Sequence, residues 1–183
     1  ETAIIPMEDF MRNPEKSSFQ ISPNGNYVAF MKPWKTRMNV FVKDMKANKE
    51  ERLTASEKRG IYGFTWLTNK RIGYVKDDGG NENMHFYAVN INGTNEIDLT
   101  PFENIQARII DDLEDDKDHL IIGLNKRNPE IHDPYRVNIN DGTMEMIAEN
   151  PGNISGWGTD HNGKLRIATT SDGVNTSLLY RDK

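Results

Sequence analysis

This sequence has no cysteine, no long apolar run and few hydrophobic residues for its length. The absence of cysteine among the 183 residues excludes a disulfide framework, a cysteine nucleophile and a thiolate metal site. No apolar run approaches the roughly 18 residues of a membrane-spanning helix, so an integral membrane protein is not expected. Hydrophobic residues make up 36%, which is small for an independent globule, because an average soluble chain has roughly 45–50% on a slightly wider set.

The charge balance is acidic. Lysine and arginine number 23 against 28 aspartates and glutamates, a net charge of −5 with no basic block. Proteins that bind nucleic acid without sequence specificity carry a basic patch instead. We therefore expect neither nucleic acid nor a membrane as a partner.

The two ends of the sequence suggest a piece of a longer gene product. The chain begins at Glu1 without methionine and without the charged and apolar regions of a signal peptide. It stops at Lys183, just after an apolar run. A trimmed export signal would explain the missing methionine, so a periplasmic or exported location is expected, with a cytoplasmic location as the alternative.

Four similar segments follow one another along the chain. Each opens with two apolar runs separated by a polar turn, and the turns begin at 22, 67, 113 and 159, which are spacings of 45, 46 and 46. A third run follows in every segment and a fourth in three of them, with Asn92-Gly93 and Asp141-Gly142 between runs three and four. Such dipeptides favour two-residue hairpins, and short β-branched or aromatic runs between turns are typical of antiparallel strands.

Four antiparallel strands repeated every 40 to 50 residues or so indicate the blades of a β-propeller. A helical solenoid fails because no repeat carries an apolar helical stripe, and a two-sheet sandwich is the weaker alternative. The predicted fold class is all-β, a partial propeller of about four blades of four strands. The blades cover about 17–55, 61–101, 105–149 and 153–183, and the last lacks its outer strand unless the first residues supply it. One short helical turn is expected over 7–13.

This blade count predicts about half a ring, because propellers close with typically four to eight blades. Half a ring leaves two blade faces without neighbours. Such faces are apolar, and exposed apolar patches mark interfaces. The sequence therefore predicts that the chain associates with itself through its open faces.

The sequence offers no catalytic residue, metal site or cofactor site. There is no Gly-x-Ser-x-Gly turn, and in the nearest string, residues 152–156, Ser155 stands one place too late for a nucleophile. The four histidines show no metal-ligand spacing; His85 and His119 are expected in or at strands, and His132 and His161 in loops.

Two acidic stretches are interpreted as surface loops. Residues 111–116 lack the order and the distal glutamate of a calcium loop, so a solvated hairpin tip is the favoured interpretation. Residues 77–83 form a polar connection whose glycines are not followed by the Lys-Ser/Thr of a phosphate loop.

Several motifs resemble those of one enzyme family. Residues 19–30, with Ser22-Pro23-Asn24-Gly25, resemble the Ser-Pro-Asp-Gly strand turn in the propellers of prolyl oligopeptidase-family serine peptidases. Residues 39–42 with 52–54, and 86–89 with 98–100, resemble the matching blade endings. Residues 10–14 resemble the mature start of bacterial acylaminoacyl-peptidase or dipeptidyl-peptidase-like members. The resemblance covers nearly the whole chain; Asn24 replaces the usual aspartate, and both residues suit that turn.

The resemblance implies that this chain and the catalytic domain are different parts of one longer protein. In that family an N-terminal propeller caps a C-terminal α/β-hydrolase domain with a Ser, Asp, His triad, which here would lie beyond residue 183. The chain would then be a non-catalytic region that gates access and helps to position short peptides for acyl-transfer hydrolysis. Its partners would be its own hydrolase domain and the peptide. The alternative is a non-enzymatic propeller that serves as a protein-interaction scaffold.

The alternating direction of the strands indicates at which end of the ring a peptide would be recognised. If each blade starts at its inner strand A, the B–C and D–A loops share one end of the ring, which the resemblance makes the hydrolase end. The B–C loops are predicted over 32–38, 77–83, 125–133 and 170–175. Arg37 and Arg127 are predicted to clamp a peptide carbonyl or carboxylate, and Glu82 to pair with a free peptide amino terminus. For each, an interdomain or surface contact is the alternative.

Overall fold

The computed structural model describes residues 4–12, 14–77 and 83–182, which form one short helix and fifteen strands. The helix α1 is Met7–Met11, within the expected helical turn. The first sheet contains β1 (Ser17–Ile21), β2 (Tyr27–Trp34), β3 (Arg37–Asp44) and β4 (Lys49–Arg52). The second contains β5 (Ile61–Thr68), β6 (Arg71–Asp77), β7 (Met84–Asn90) and β8 (Ile97–Asp98). The third contains β9 (Ala107–Asp111), β10 (His119–Asn128), β11 (Ile131–Asn138) and β12 (Met144–Met146), and the last contains β13 (Ile154–Thr159), β14 (Leu165–Ser171) and β15 (Thr176–Tyr180).

The sheets are four successive blades, here called blades one to four. Strands pair in chain order within each sheet, and all of these pairings are antiparallel. Blades one to three have four strands each, whereas blade four has three among the described residues. The predicted fold class, including the missing outer strand, is confirmed.

The core lies between blades because alternate residues of each strand face opposite neighbours. In blade two, Ile72 and Tyr74 pack in a cluster with Ala29, Val40 and other residues of blade one. The intervening residues of the same sheet, such as Phe86 and Ala88, pack in a second cluster with blade three. Blade two is therefore apolar on both faces.

The B–C connections are shorter than the sequence suggested. The β2–β3 ladder continues to the pair Trp34–Arg37, so that only residues 35–36 turn. The β10–β11 ladder reaches Asn128–Ile131 in the same way. The expectation of long loops over 32–38 and 125–133 was wrong, because beyond the core a ladder needs only its backbone hydrogen bonds and tolerates polar side chains. His132 accordingly lies in β11, not in a loop.

No helix in the described parts of the chain is long and apolar enough to cross a membrane.

Candidate functional surface

We define the B–C end of the molecule as the B–C turns together with the connections that lead from one blade to the next. In the described residues it comprises the turns 35–36, 129–130 and 172–175 and the connections 53–60, 99–106 and 147–153. The opposite A–B end carries the A–B and C–D turns, including 112–118 and 160–164. The three residues predicted to contact a peptide were all assigned to the B–C end.

Arg127, near the end of β10, is held by groups of its own blade and of the connection to blade four. Its Nε and Nη2 atoms donate to the two carboxylate oxygens of Asp133 at 3.0 and 3.1 Å. Nη2 also donates to the Asn150 carbonyl at 2.8 Å, and Nη1 lies 3.4 Å from a carboxylate oxygen of Glu149. The hydrogen bond to Asp133 raises the pKa of Arg127 above its ordinary value. Arg127 therefore has a structural task, and its predicted peptide contact stays a prediction.

The partner of Arg127 ties two blades together. Asp133 is fully buried, and besides the arginine it accepts a bond from the Asn150 backbone N–H at 2.7 Å. The Asn150 side chain in turn donates to the carbonyls of His132 and Ile154, at the start of blade four. Sequence reasoning missed Asp133 and Asn150, because Asp133 fell within the loop predicted over 125–133.

Arg37 begins β3 at the tip of the β2–β3 hairpin and is exposed. Opposite it in the ladder stands Trp34, whose ring lies 3.7 Å from the guanidinium carbon of Arg52 and 4.7 Å from Lys35 Nζ. Such stacking stabilises the tip, since a cation over an indole face is favourable by about 0.5–1 kcal/mol at exposed sites. The structure thus presents Arg37 beside an aromatic and cationic tip formed by Trp34, Lys35 and Arg52.

Glu82, the third predicted contact, lies outside the described residues, as does most of the B–C connection of blade two. The neighbouring Asp77 ends β6 and is buried, with its carboxylate 3.9 Å from Arg59 Nε.

The A–B end carries the acidic tip of blade three. Asp116 lies 3.0 Å from His119 Nδ1 and also pairs with Arg136. Asp111 accepts the hydroxyl of Thr159, which links the tip to blade four. These contacts agree with a hairpin tip that is held by local hydrogen bonds.

Other residues considered for chemistry have ordinary structural positions. Ser155 Oγ donates to the Thr169 carbonyl across the β13–β14 pair at 3.1 Å. His85 Nδ1 lies 2.7 Å from Asp98. Among the described residues, no group of three or more His, Asp or Glu side chains is arranged to hold a metal ion.

No protein-family model matches the chain. Its curated relatives include dipeptidyl aminopeptidase BIII of Pseudoxanthomonas mexicana, 28% identical over 172 residues, or 93% of this chain and 25% of that protein. Dipeptidyl peptidase family member 6 of Caenorhabditis elegans is 23% identical over 189 residues, or 98% of this chain and 25% of that protein. The chain thus spans about a quarter of the length of the curated relatives it matches.

Solved structures share the fold. The β-propeller domain of the Trilobed protease from Pyrococcus furiosus has a TM-score of 0.57 at 14% identity, with 90% of this chain and 56% of that chain covered. An acylaminoacyl peptidase from Pyrococcus horikoshii has a TM-score of 0.60 at 14% identity, covering 92% and 31%.

TolB from Acinetobacter baumannii has a TM-score of 0.58 at 15% identity, covering 89% of this chain and 40% of that chain. At these identities the likeness concerns the fold alone. Taken with the sequence relatives, it identifies the chain as a partial β-propeller that is homologous to part of the dipeptidyl peptidases.

Proposed function

We propose that this chain is the propeller region of a serine peptidase, which gates access to a C-terminal hydrolase domain and helps to position short peptides there. The observation that carries the proposal is the sequence match to dipeptidyl aminopeptidase BIII, which includes 93% of this chain but 25% of that enzyme. A propeller of stacked blades supplies no triad, so the acyl-transfer chemistry would belong to residues beyond 183.

The first experiment compares the whole protein with the 183-residue chain. The full-length protein should release the chromophore from dipeptidyl p-nitroanilides and should react with a serine-directed phosphonate. The 183-residue chain, used as the control, should do neither. An intact, folded full-length protein that neither cleaves nor reacts would contradict the peptidase proposal.

The gating role is best tested at the B–C end, where Arg37 is exposed and, among the residues that the structure describes, pairs with no carboxylate, unlike Arg127. In the full-length enzyme, we expect Arg37→Ala to change the ratio of kcat/KM between short and long peptides. Lys46→Ala is the matched control, because Lys46 is an exposed cation at the opposite end. Equal ratios for the enzyme and both variants would remove Arg37 from the substrate path.

The second candidate is a non-enzymatic propeller that presents its loops to partner proteins. The fold alone does not separate the two candidates, because solved structures named as peptidases and as TolB both share it. The sequence that follows residue 183 distinguishes the two: a Gly-x-Ser-x-Gly turn some hundreds of residues downstream supports the peptidase, whereas further blades followed by a stop support the scaffold.

We propose a periplasmic or exported location for the protein. Cell fractionation of the natural host, with an antibody raised against this chain, tests it; recovery in the cytoplasmic fraction would support the alternative location.

A further inference from the structure

Blades three and four are joined differently from the other neighbouring blades. Blades one and two share one cluster of buried apolar residues, and blades two and three share a second, but in the described structure neither cluster includes a residue of blade four. At the B–C end of the interface between blades three and four, the His132 carbonyl accepts bonds from Trp157 Nε1 and Asn150 Nδ2, both at 3.3 Å. Side-chain hydrogen bonds therefore hold this interface at the position of His132.

The side chain of His132 points toward blade four. Tyr135 and Val137 of the same strand, β11, pack in the cluster shared with blade two. Because successive residues of a strand face opposite sides of the sheet, His132 faces the other side. Gly123 of β10 lies beside it, since a Cβ atom there would be 3.6 Å from His132 Cβ and 3.5 Å from Ile110 Cδ1. The imidazole therefore lies within the interface between blades three and four.

This buried imidazole has no partner for one of its nitrogens. His132 Nε2 is buried and makes no hydrogen bond in the described structure. A neutral imidazole donates from one nitrogen, whereas a protonated one must donate from both. Protonation in place would therefore bury a charged donor without an acceptor, and the cost of an unmade hydrogen bond is greater for a charged group than for a neutral one.

The surroundings of His132 oppose its protonation. Burial disfavours the imidazolium most, and the positive charge of Arg108 on β9 adds to this, so the pKa of His132 is lowered. Asp133, the next residue in β11, favours the imidazolium, but its carboxylate is already bonded to Arg127. The connection to blade four carries one charged residue, Glu149, which also pairs with Arg127, and β13 carries none.

We propose that protonation of His132 opens the B–C end of the interface between blades three and four. At neutral pH the uncharged ring stays buried and the interface is closed. A protonated ring requires water, which it reaches only when blade four moves away, and the bonds of Trp157 and Asn150 to the His132 carbonyl are then lost. The proposal needs no residue beyond 183, so its failure and that of the peptidase proposal are independent.

The size of the effect follows from the binding of one proton. In the open form His132 is exposed and titrates at a pKa of about 6.5, whereas the pKa of the closed form is lower. The open form therefore binds the proton more tightly and is favoured as the pH falls through 6.5. The open fraction should rise by up to about tenfold between pH 7.5 and pH 5.5.

A single introduced cysteine can report on the opening, because the chain has no cysteine of its own. Ala168 is 9% exposed and stands opposite Trp157 in the β13–β14 ladder, so it shares the side of blade four that faces His132. Slow alkylation of Ala168→Cys, quantified by mass spectrometry of the peptide that carries it, measures how often this side is open.

Two further cysteine variants are the controls. Val174→Cys, at a position that is 91% exposed, gives the alkylation rate of an open thiol. Thiols have a pKa of about 8.5, so between pH 5.5 and pH 7.5 the intrinsic rates of both change with pH by the same factor. Ala88→Cys is the matched buried position, because Ala88 is fully buried between blades two and three.

We expect the rate for Ala168→Cys, divided by that for Val174→Cys, to rise several-fold from pH 7.5 to pH 5.5, up to about the tenfold limit of one proton. The corresponding ratio for Ala88→Cys should stay constant. Adding His132→Gln to Ala168→Cys should abolish the rise, whereas adding His161→Gln, at an exposed histidine, should leave it unchanged.

Circular dichroism checks that each variant keeps its β-structure. Arg108→Gln is a second variant that leaves the ring in place: it should reduce the rise, because it removes a charge that opposes protonation of the closed form. A constant ratio for Ala168→Cys, or a rise that persists in folded His132→Gln, would overturn the proposal. An equal rise for Ala88→Cys would also overturn it, because the whole chain would then loosen in acid.

Discussion

Two threonines close blades one and two at equivalent positions. Thr54 Oγ1 accepts the backbone N–H of Val40, and Thr100 Oγ1 accepts that of Phe86, both at 2.9 Å. Blade three has Pro134 in the equivalent place, because Ile147 bonds the Pro134 carbonyl as Leu99 bonds that of Phe86. A proline has no N–H to donate, and residue 148 is accordingly an alanine without a hydroxyl.

This arrangement predicts the effect of Thr100→Val. Valine has the same shape but leaves the buried Phe86 N–H without an acceptor, which costs about 1–3 kcal/mol of unfolding free energy. Urea denaturation measures it. The control is Thr36→Val in the exposed turn 35–36, where we expect a change within about 0.5 kcal/mol. Equal stability of the wild type and Thr100→Val would show that the hydroxyl is unimportant.

His132 predicts a dependence of stability on pH. Its Nε2 atom is buried and has no hydrogen-bond partner in the described structure, and burial lowers the pKa of His132. The unfolded chain, in which a histidine has a pKa of about 6.5, therefore binds this proton more readily than the folded chain does. Neutral His132 makes its full contribution to the free energy of unfolding above about pH 6.5. That contribution is lost as the pH falls toward the lower pKa of His132 in the folded state.

We expect the free energy of unfolding to decrease between pH 7.5 and pH 5.5, and His132→Gln to reduce that decrease, measured by urea denaturation at both values. His161→Gln, in an exposed turn, is the control. Carboxylates such as Asp160, whose pKa the hydrogen bond from Arg166 lowers, lose their stabilising contribution only below about pH 4, outside this window. An unchanged slope in His132→Gln would refute the assignment.

At the scale of elements, β6 requires a glycine where it meets blade three. A Cβ atom on Gly73 would overlap the ring of Phe86 and lie 3.2 Å from Leu67 Cδ1. Phe86 cannot move aside, because it is buried in the cluster between blades two and three.

Gly73→Ala should therefore destabilise the protein by about 1–3 kcal/mol, as overpacking of a core does. The matched control is Gly63→Ala on the adjacent strand β5, where an added Cβ meets no atom within 4 Å. Thermal or urea unfolding of both variants tests this. If Gly73→Ala were no less stable than Gly63→Ala, the blades would have to be packed less closely than the structure shows.

The strands also show where the pattern of apolar residues fails to predict secondary structure. Apolar runs predicted the parts of strands that face another blade, because burial selects hydrophobic residues there. The outer part of the β2–β3 hairpin is mostly polar, with Lys35, Thr36 and Arg37 at its tip, so the pattern indicated a loop. The bidentate pair of Arg127 and Asp133 likewise depends on the pairing of β10 with β11, which the polar residues of this region do not indicate.

At the scale of the whole molecule, the ends of the arc differ from its centre. Blades two and three each pack against two neighbours, whereas all five residues of β15 in blade four are exposed. Segments with few buried apolar contacts open at lower free energy than core strands.

Amide hydrogen exchange should therefore be faster in β15 than in β6, by about tenfold for every 1.4 kcal/mol of difference in opening free energy. Mass spectrometry of the exchanged protein measures this. β6 is the internal standard because it lies at the centre of blade two. Equal protection of the two strands would mean that the four blades open as one unit.

The sequence by itself determined the number of blades, the strands within them and the missing outer strand, because strands and turns depend on residues that are near one another in the chain. The tertiary structure decided which residues meet: that Arg127 is held by Asp133 and Asn150, and that Phe86 leaves room for nothing larger than a glycine at position 73. These facts depend on neighbours tens of residues apart, whose distances only the packing of one blade on the next establishes.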